Sequence, residues 1–170
     1  MFGKVKSLRE LFEIQLRYAY DCEQKLYNKG IPSMINNVTS SDLRGALQAH
    51  LRETQGQIAR LDQVFPLVGI EPGTKDNDVL DELMSAAEDS VSNIESPDLR
   101  DAALIVNGNL VEHYEIALYG SLAAFARSLG LQEASDLLQD TLQEEKSADK
   151  KLTEIAETVM NPKAARRQTA

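Results

Sequence analysis

Apolar side chains recur every three or four residues along four long segments of the chain, and no other feature constrains its fold so strongly. In the second of these segments they are Leu43, Leu47, Leu51, Ile58, Leu61, Phe65 and Val68. This spacing gathers them on one side of an α-helix, whereas a strand would need apolar and polar residues to alternate, which no segment sustains. Aromatic residues make up only 5 % of the chain, which also disfavours a sheet. The sequence predicts an all-α fold.

Capping residues and glycines delimit the predicted helices. Ser7 and Glu10 fit a capping box, and Ser96 precedes a proline at a first helical position. Gly69 and Gly130 each follow an apolar periodic run, as glycines at helix C-termini do. The predicted helices span residues 8 to about 29, 43–68, 76–95, 97 to about 128 and about 131–160.

Two prolines are expected to end or kink the first and last helices. Gly30 and Pro32 end or kink the first helix, and residues 31–38 can add another turn or two. Asn161 and Pro162 are expected to stop the last helix. We therefore predict one domain over residues 1–160 and a flexible basic tail over residues 161–170.

The lengths of the connections predict how the helices are arranged. The first and second long helices are joined by a short link, and so are the third and fourth, so each pair forms an antiparallel hairpin. The link between the second and third is long and contains the helix over residues 76–95. An antiparallel four-helix bundle with one long crossover of this kind is ferritin-like.

Charge and cysteine content limit the function classes. A net charge of −9 argues against a basic groove for nucleic acid, and hence against a DNA-shielding role. No apolar run approaches the ~20 residues that span a bilayer, and the N-terminus lacks the apolar centre of a secretory signal. Cys22 is the single cysteine, which suits a reducing compartment. We expect a cytoplasmic protein that binds neither membrane nor nucleic acid.

Acidic side chains interrupt the apolar sides of the long helices near their middles. Glu115, for example, lies one turn from Val111 and one turn from Leu118. The other candidates are Glu23 in the first long helix, His50, Glu53 and Gln57 in the second, Glu112 in the third and Glu145 in the fourth. Because the four helices pack on their apolar sides, these groups are expected to converge.

Converging carboxylates in a dry interior need a cation. A lone buried carboxylate must either become neutral or find a positive partner, and several together repel one another strongly. Divalent metal ions remove the repulsion, and oxygen ligands with an occasional imidazole suit iron or manganese. In the usual dimetal bundle two helices supply one Glu each and two supply Glu-x-x-His. Glu23 and Glu115 match the single acids, but His50-x-x-Glu53 has the reverse order and Glu145 has Ala148 at the position of the histidine.

Each candidate also has an ordinary structural interpretation. A glutamate at the edge of a helix seam can reach water, and His50 can hydrogen-bond a carbonyl instead of a metal. Gln57 is a poor metal ligand and is better suited to hold a carboxylate or a water. His113 points away from Glu115, and Glu144 and Asp149 fit a solvated face. The spacing alone leaves ligation and these alternatives open.

Four segments of the sequence resemble the bacterial YciE/YciF-like proteins of the ferritin-like superfamily. HLxETxxQI, VEHYEIAxYG and TLxEEKxxDxKL are the most specific motifs. The segments cover most of residues 7–157; they are DCEQKL, AHLRETQGQIARLDQVF, RDAALIVNGNLVEHYEIALYGSLAAFARSLG and LLQDTLQEEKSADKKLTEIAE.

The resemblance implies a ferritin-like bundle with an internal centre of two metal ions, iron first and manganese second, in a homodimer rather than a storage cage. It also implies an association with bacterial stress responses. In some relatives a histidine stands where this chain has Gln55, and there it completes a Glu-x-x-His motif. Because this chain lacks that histidine, it departs from a conventional ferroxidase ligand set. Carried over by motif, the metal-site residues are Glu23, Glu53, Glu112, Glu115 and Glu145, with His50 next and Glu144, Gln57, His113 and Asp149 weaker.

Two functions are consistent with these observations. The first is a dimetal carboxylate protein that oxidises Fe(II) or consumes peroxide during stress. The second is a non-catalytic helical protein of the stress response whose inner acids are vestigial or bind metal only for stability. Metal analysis of protein purified without chelator tests for a bound metal, and oxygen consumption with Fe(II) then tests for catalysis.

Overall fold

The computed structural model describes residues 4–166, and these form an antiparallel helical bundle with no strand among them. The long helices begin and end close to the predicted positions. The elements are α1 (Leu8–Lys25), a π-helical turn (Leu26–Gly30), α2 (Ile31–Asn37), α3 (Ser41–Val68), α4 (Asp78–Asn93), α5 (Pro97–Ser128), α6 (Gln132–Ile155), a second π-helical turn (Ala156–Met160) and α7 (Asn161–Arg166).

Four of these helices close a ring around one interior. Helix α5 packs most extensively against α6, α6 packs against α3, and α1 packs against both α3 and α5. Helix α4 lies in the crossover between α3 and α5 and rests on α5. The predicted four-helix bundle with an extra helix in its long crossover is confirmed.

Local sequence explains where the helices begin and end. The Ser7 and Ser40 hydroxyls and the Asn77 side chain each accept a hydrogen bond from a backbone N–H in the first turn that follows. Gly69 and Gly130 adopt φ of 78° and 75°. This left-handed conformation carries no Cβ penalty for glycine and ends α3 and α5.

Two π-helical turns carry the chain past the prolines. Ile31 N–H donates to the Leu26 carbonyl and Asn161 N–H donates to the Ala156 carbonyl, five residues back in each case. Such a wider turn leaves room for the ring of the proline that follows. The prediction that Asn161 and Pro162 stop the last helix was therefore wrong. Helical structure continues to residue 166.

The first residues of the predicted tail thus lie against the bundle. Helix α7 packs on α5, and Ala164 is buried. Residues 167–170 of that tail lie outside the described residues. Within residues 4–166, no helix has both the length and the apolar character that a membrane span requires.

The apolar core has two parts with a polar layer between them. Towards one end lie Phe12, Leu16, Leu61, Phe65, Leu122 and Leu138, and towards the other lie Leu26, Leu43, Leu47, Leu104, Leu152 and Ile155. On each of the four long helices, a buried acid or histidine falls between these two sets in sequence. The fold thus holds polar side chains at mid-length, where water is excluded above and below.

Candidate metal centre

Four polar side chains from three helices meet in the polar layer. They are His50 of α3, Glu112 and Glu115 of α5, and Glu145 of α6, and one ligand atom from each lies within 4.8 Å of the other three. Glu145 is 0 % exposed, Glu115 1 %, Glu112 3 % and His50 9 %. This is the only group of its kind in the part of the chain that the structure describes.

Helical geometry and apolar neighbours account for the convergence. Glu112 and Glu115 are three residues apart and therefore share one side of α5. Leu104 precedes them and Leu118 follows them on the buried side of the helix. Burying these leucines against the neighbouring helices carries both carboxylates inward.

One oxygen of each buried carboxylate lacks a hydrogen-bond donor. Glu23, Glu112, Glu115 and Glu145 each have an Oε2 atom that no described residue or backbone group bonds. An ionised carboxylate left in this state is strongly destabilising unless a cation compensates it. Carboxylate oxygens with one imidazole nitrogen are a donor set for iron or manganese. The residues present therefore fit a metal site.

Burial and mutual repulsion raise the pKa values of these acids. Burial raises the pKa of Glu115 well above its ordinary value, and the negative charges of Glu23 and Glu112 add to the shift. Burial raises the pKa of Glu145 well above its ordinary value in the same way, with further contributions from Glu115 and Glu23. The pKa of Glu112 is also raised, chiefly by burial. Metal-free protein therefore holds these groups protonated at a pH where free glutamate is ionised.

His50 connects the buried cluster to the surface. Its Nε2 lies 3.3 Å from Glu112 Oε1, and its Nδ1 lies 3.5 Å from Glu53 Oε2. Burial lowers the pKa of His50, but the charge of Glu112 and contact with Glu53 outweigh burial and the net shift is upward. The Glu53 side chain itself is 48 % exposed. Glu53 therefore stands outside the four-residue cluster and contacts it through His50.

Glu23 lies in the same layer but outside the group of four. It is 0 % exposed, and Tyr119 Oη donates a hydrogen bond to its Oε1. Burial raises the pKa of Glu23 to about 8, although the hydrogen bond from Tyr119 opposes this shift. Of the six predicted metal-site residues, the structure thus gathers four tightly, places Glu23 beside them and leaves Glu53 at the rim.

A hydrogen-bond relay from α3 holds Glu145. Gln57 Nε2 donates to Glu145 Oε1 at 2.6 Å and to Glu144 Oε2 at 3.1 Å. Arg60 then donates to both oxygens of Glu144, at 2.8 and 2.9 Å. The expectation that Gln57 holds a carboxylate is confirmed. Sequence reasoning missed Arg60, although its position three residues after Gln57 on the same side of the helix was a signal.

Three other residues near the cluster take distinct positions. Cys22 is buried and its thiol donates to Glu115 Oε1 at 3.5 Å. Burial raises the pKa of Cys22 well above its ordinary value, which keeps it a thiol. His113 points outward with 69 % of its side chain exposed, and its Nε2 lies 3.2 Å from Asp149 Oδ1. The His113–Asp149 pair is therefore a surface contact of α5 with α6.

Known proteins resemble this chain over nearly its whole length. A family model described as a domain of unknown function, DUF892, matches residues 7–165. Protein YciF of Escherichia coli K12 is 38 % identical over 164 residues, which cover 94 % of this chain and 96 % of that protein.

Solved structures share the fold. The YcfI protein of Rhodopseudomonas palustris, described as a candidate structural protein, has a TM-score of 0.86 at 39 % identity and covers 90 % of this chain and 98 % of its own. The crystal structure of the E. coli stress protein YciF has a TM-score of 0.86 at 37 % identity, and the match covers 89 % of this chain and 96 % of the YciF chain. A Xanthomonas campestris protein has a TM-score of 0.73 at 24 % identity, and the match covers 95 % of this chain and 99 % of that protein. At this identity it is evidence only for the fold. The fold is ferritin-like, as predicted.

Proposed function

The chain belongs to the DUF892 family and is a relative of the E. coli stress protein YciF, and we propose that it is likewise a stress-associated protein. We further propose that its bundle holds a dinuclear iron or manganese centre. One observation carries the proposal. Four buried glutamates, each with an unpartnered oxygen, lie in one layer together with His50. A protein without a cation would gain nothing from such an arrangement, because its electrostatic cost is large.

The donor set suggests how two ions would be held. His50, Glu112, Glu115 and Glu145 would hold the first ion, and Glu23 is the remaining buried glutamate for the second. Iron bound there would supply redox chemistry in which Fe(II) is oxidised and dioxygen or peroxide is reduced.

The surrounding residues orient the ligands and exclude water. Tyr119 hydrogen-bonds Glu23, and Gln57 hydrogen-bonds Glu145, so one oxygen of each acid is fixed and the other is free. Arg60 holds Glu144, and Glu144 in turn shares the Gln57 amide. Partners of this kind orient ligands and tune affinity in metal proteins. The apolar side chains on both sides of the layer shield it from solvent along the bundle axis.

The alternative is a non-catalytic helical protein with a structural or vestigial metal site. Two observations favour it. The relative YcfI is described as a candidate structural protein, and His50-x-x-Glu53 replaces a conventional Glu-x-x-His. Oxygen consumption with Fe(II) tests the difference, since a structural site binds metal without turnover. The single cysteine, Cys22, supports the proposed cytoplasmic location.

Glu115→Gln is expected to separate metal binding from folding. The variant keeps the shape of the side chain and removes an acid that is ionised in the unfolded chain but held protonated by burial in the fold, so metal-free protein at about pH 8 should become more stable. The same change removes a ligand, so affinity for Mn²⁺ or Fe²⁺ should fall by at least about 100-fold. Plasma mass spectrometry of protein purified without chelator, with calorimetric titration of Mn²⁺, measures the loss.

Glu133→Gln is the matched control, because Glu133 is exposed in the first turn of α6. It should bind metal as the unchanged protein does. Stoichiometric metal retained in Glu115→Gln would overturn the assigned site, and absence of metal from the unchanged protein would overturn the proposed function.

We also propose that the protein is a homodimer, and exposed apolar side chains on α5 support this. Three of them are exposed by 40 %, 61 % and 49 %, respectively: Leu99, Val106 and Leu110. They are seven and four residues apart, so they lie on one side of the helix. Val106→Glu should convert the dimer to a monomer in light scattering after size-exclusion chromatography. Val5→Glu, at another exposed apolar position, should leave the mass unchanged. A monomeric unchanged protein would contradict the proposal.

A further inference from the structure

A cavity of about 330 Å³ opens from the surface between α3 and α6 and reaches the metal-site residues. Its exposed rim includes Gly45 and Lys151, and its inner end is formed by His50 and Glu112. Glu115 and Glu145 do not line it. The cavity therefore gives access to one side of the cluster only.

Small and apolar residues make this cleft. Gly45, Ala49 and Ala148 occupy positions where larger side chains would fill the space between the two helices, and Leu47 and Leu152 complete the apolar wall. A Cβ built on Gly45 meets no atom within 4 Å. The volume is in the range of pockets that hold small organic ligands, about 300–1,000 Å³. Water or dioxygen alone would need far less room.

The inner end of the cleft is polar and incompletely bonded. Glu112 is 3 % exposed, and its Oε2 has no hydrogen-bond partner among residues 4–166. His50, 9 % exposed, lines the cleft beside it. Both belong to the cluster assigned to the metal. A ligand in the cleft would therefore meet a cation at the inner end and hydrocarbon along the walls.

The rim carries charges of both signs, so a metal ion bound at the inner end, and not the rim alone, would favour an anionic ligand. Lys151 lines the cleft with 58 % of its side chain exposed, and its Nζ lies 3.4 Å from Glu154 Oε2. Glu53 also lines the cleft, but it is engaged with His50. A negative group passing Lys151 towards a bound metal ion would be attracted at both points.

We propose that the cleft between α3 and α6 binds a small monocarboxylic acid whose apolar body lies against Leu47, Ala49 and Leu152 and whose carboxylate is directed to the inner end beside His50 and Glu112. This inference rests on the proposed metal site. Without the ion, the carboxylate would approach Glu112 with no positive charge to compensate it. Binding of the acid and of the metal must therefore be positively coupled.

Octanoate tests the proposal, with neutral octanamide as a ligand of the same shape. Calorimetric titration uses the full chain, either treated with chelator or loaded with Mn²⁺. Octanoate should bind the Mn²⁺-loaded protein at least about tenfold more tightly than the metal-free protein, and Mn²⁺ should gain affinity equally when octanoate is present. Octanamide should show no such coupling, because it lacks the charge.

Two glycine variants of α3 place the ligand in the cleft. Gly45→Leu fills the rim and should weaken octanoate binding by at least about tenfold without weakening Mn²⁺ binding. Gly56→Leu makes the same change on the same helix at an exposed position outside the cleft, where a Cβ also meets no atom within 4 Å. Both variants remove a glycine from a helix interior, so neither is expected to impair folding.

The outcomes separate the two proposals. The cleft proposal is overturned, and the metal site stands, if Mn²⁺ binds but octanoate does not. The same conclusion follows if octanoate binds the Gly45→Leu variant, or the metal-free protein, as tightly as it binds the unchanged Mn²⁺-loaded protein. Equal binding of octanamide to the loaded protein overturns the carboxylate specificity and the proposal with it. If Mn²⁺ itself fails to bind in the first titration, the proposed function fails and the cleft proposal falls with it.

Discussion

Metal-free protein is expected to lose stability steeply as the pH rises from about 5 to about 8. Glu23 has an ordinary pKa of 4.5 when exposed and about 8 in the fold, because burial disfavours its charged form. Below its unfolded-state pKa, such a group is protonated in both the folded and the unfolded protein, and its contribution to stability is fully present. As the pH rises towards its folded-state pKa, the group ionises in the unfolded chain first, and that contribution is lost. At about 1.4 kcal/mol for each pKa unit, Glu23 alone contributes a loss on the order of 4 kcal/mol.

The other buried groups act in the same direction. The pKa values of Glu112, Glu115, Glu145 and His50 are all raised in the fold, so each favours the folded state less as the pH rises. Urea unfolding followed by circular dichroism, on protein treated with chelator, measures the slope. Saturating Mn²⁺ should flatten it, because the ion stabilises the ionised carboxylates.

Glu115→Gln serves as the matched variant, since it removes one of the coupled acids. Its metal-free form should show a shallower slope than the unchanged protein. A metal-free protein whose unfolding free energy stays constant or rises over this pH range would contradict the arrangement of buried acids.

Asp101→Ala is expected to lower the free energy of unfolding by about 3–5 kcal/mol, because it strips hydrogen-bond acceptors from a buried turn. Asp101 of α5 is 0 % exposed. Its carboxylate accepts from Thr39 N–H at 3.0 and 3.1 Å, from Thr39 Oγ1 at 2.7 Å and from Ser40 N–H at 2.7 Å. These groups immediately precede α3, so the alanine variant leaves donors at its start unsatisfied. Urea unfolding at fixed pH measures the change.

Two further variants sharpen this test. Asp101→Asn keeps one acceptor oxygen and should lose clearly less stability than the alanine variant. Asp89→Ala removes an exposed acid from α4 and should change the unfolding free energy by no more than about 0.5 kcal/mol. Equal, small effects of Asp101→Ala and Asp89→Ala would show that this carboxylate does not hold the turn.

Helical periodicity predicted most of the fold because the rule that relates it to burial is local. Glu115 lies between apolar residues one turn away on each side, and the structure buries it among them. Gly69 and Gly130 ended α3 and α5 as expected, since a left-handed residue is required there. The prediction at Asn161 and Pro162 was wrong because a π-helical turn, in which Asn161 N–H bonds the carbonyl five residues back, accommodated the proline.

The positions of side chains across helices were harder to predict. Glu53 and Glu112 are both acids at the edge of an apolar stripe, yet one is 48 % exposed on its side chain and the other is buried. The rotation of each helix about its own axis decides this, and a stripe of residues specifies that rotation only roughly. Arg60 was missed for the same reason, because its partner Glu144 lies on another helix.

By itself, the sequence determined the helices, their order and the presence of acids at mid-length, because spacing along one helix depends only on that helix. The tertiary structure alone decided which of those acids meet. It gathered His50, Glu112, Glu115 and Glu145, put Tyr119 against Glu23, and left a cleft between α3 and α6. Distances between helices depend on how every side chain in the core packs, and no single segment contains that information.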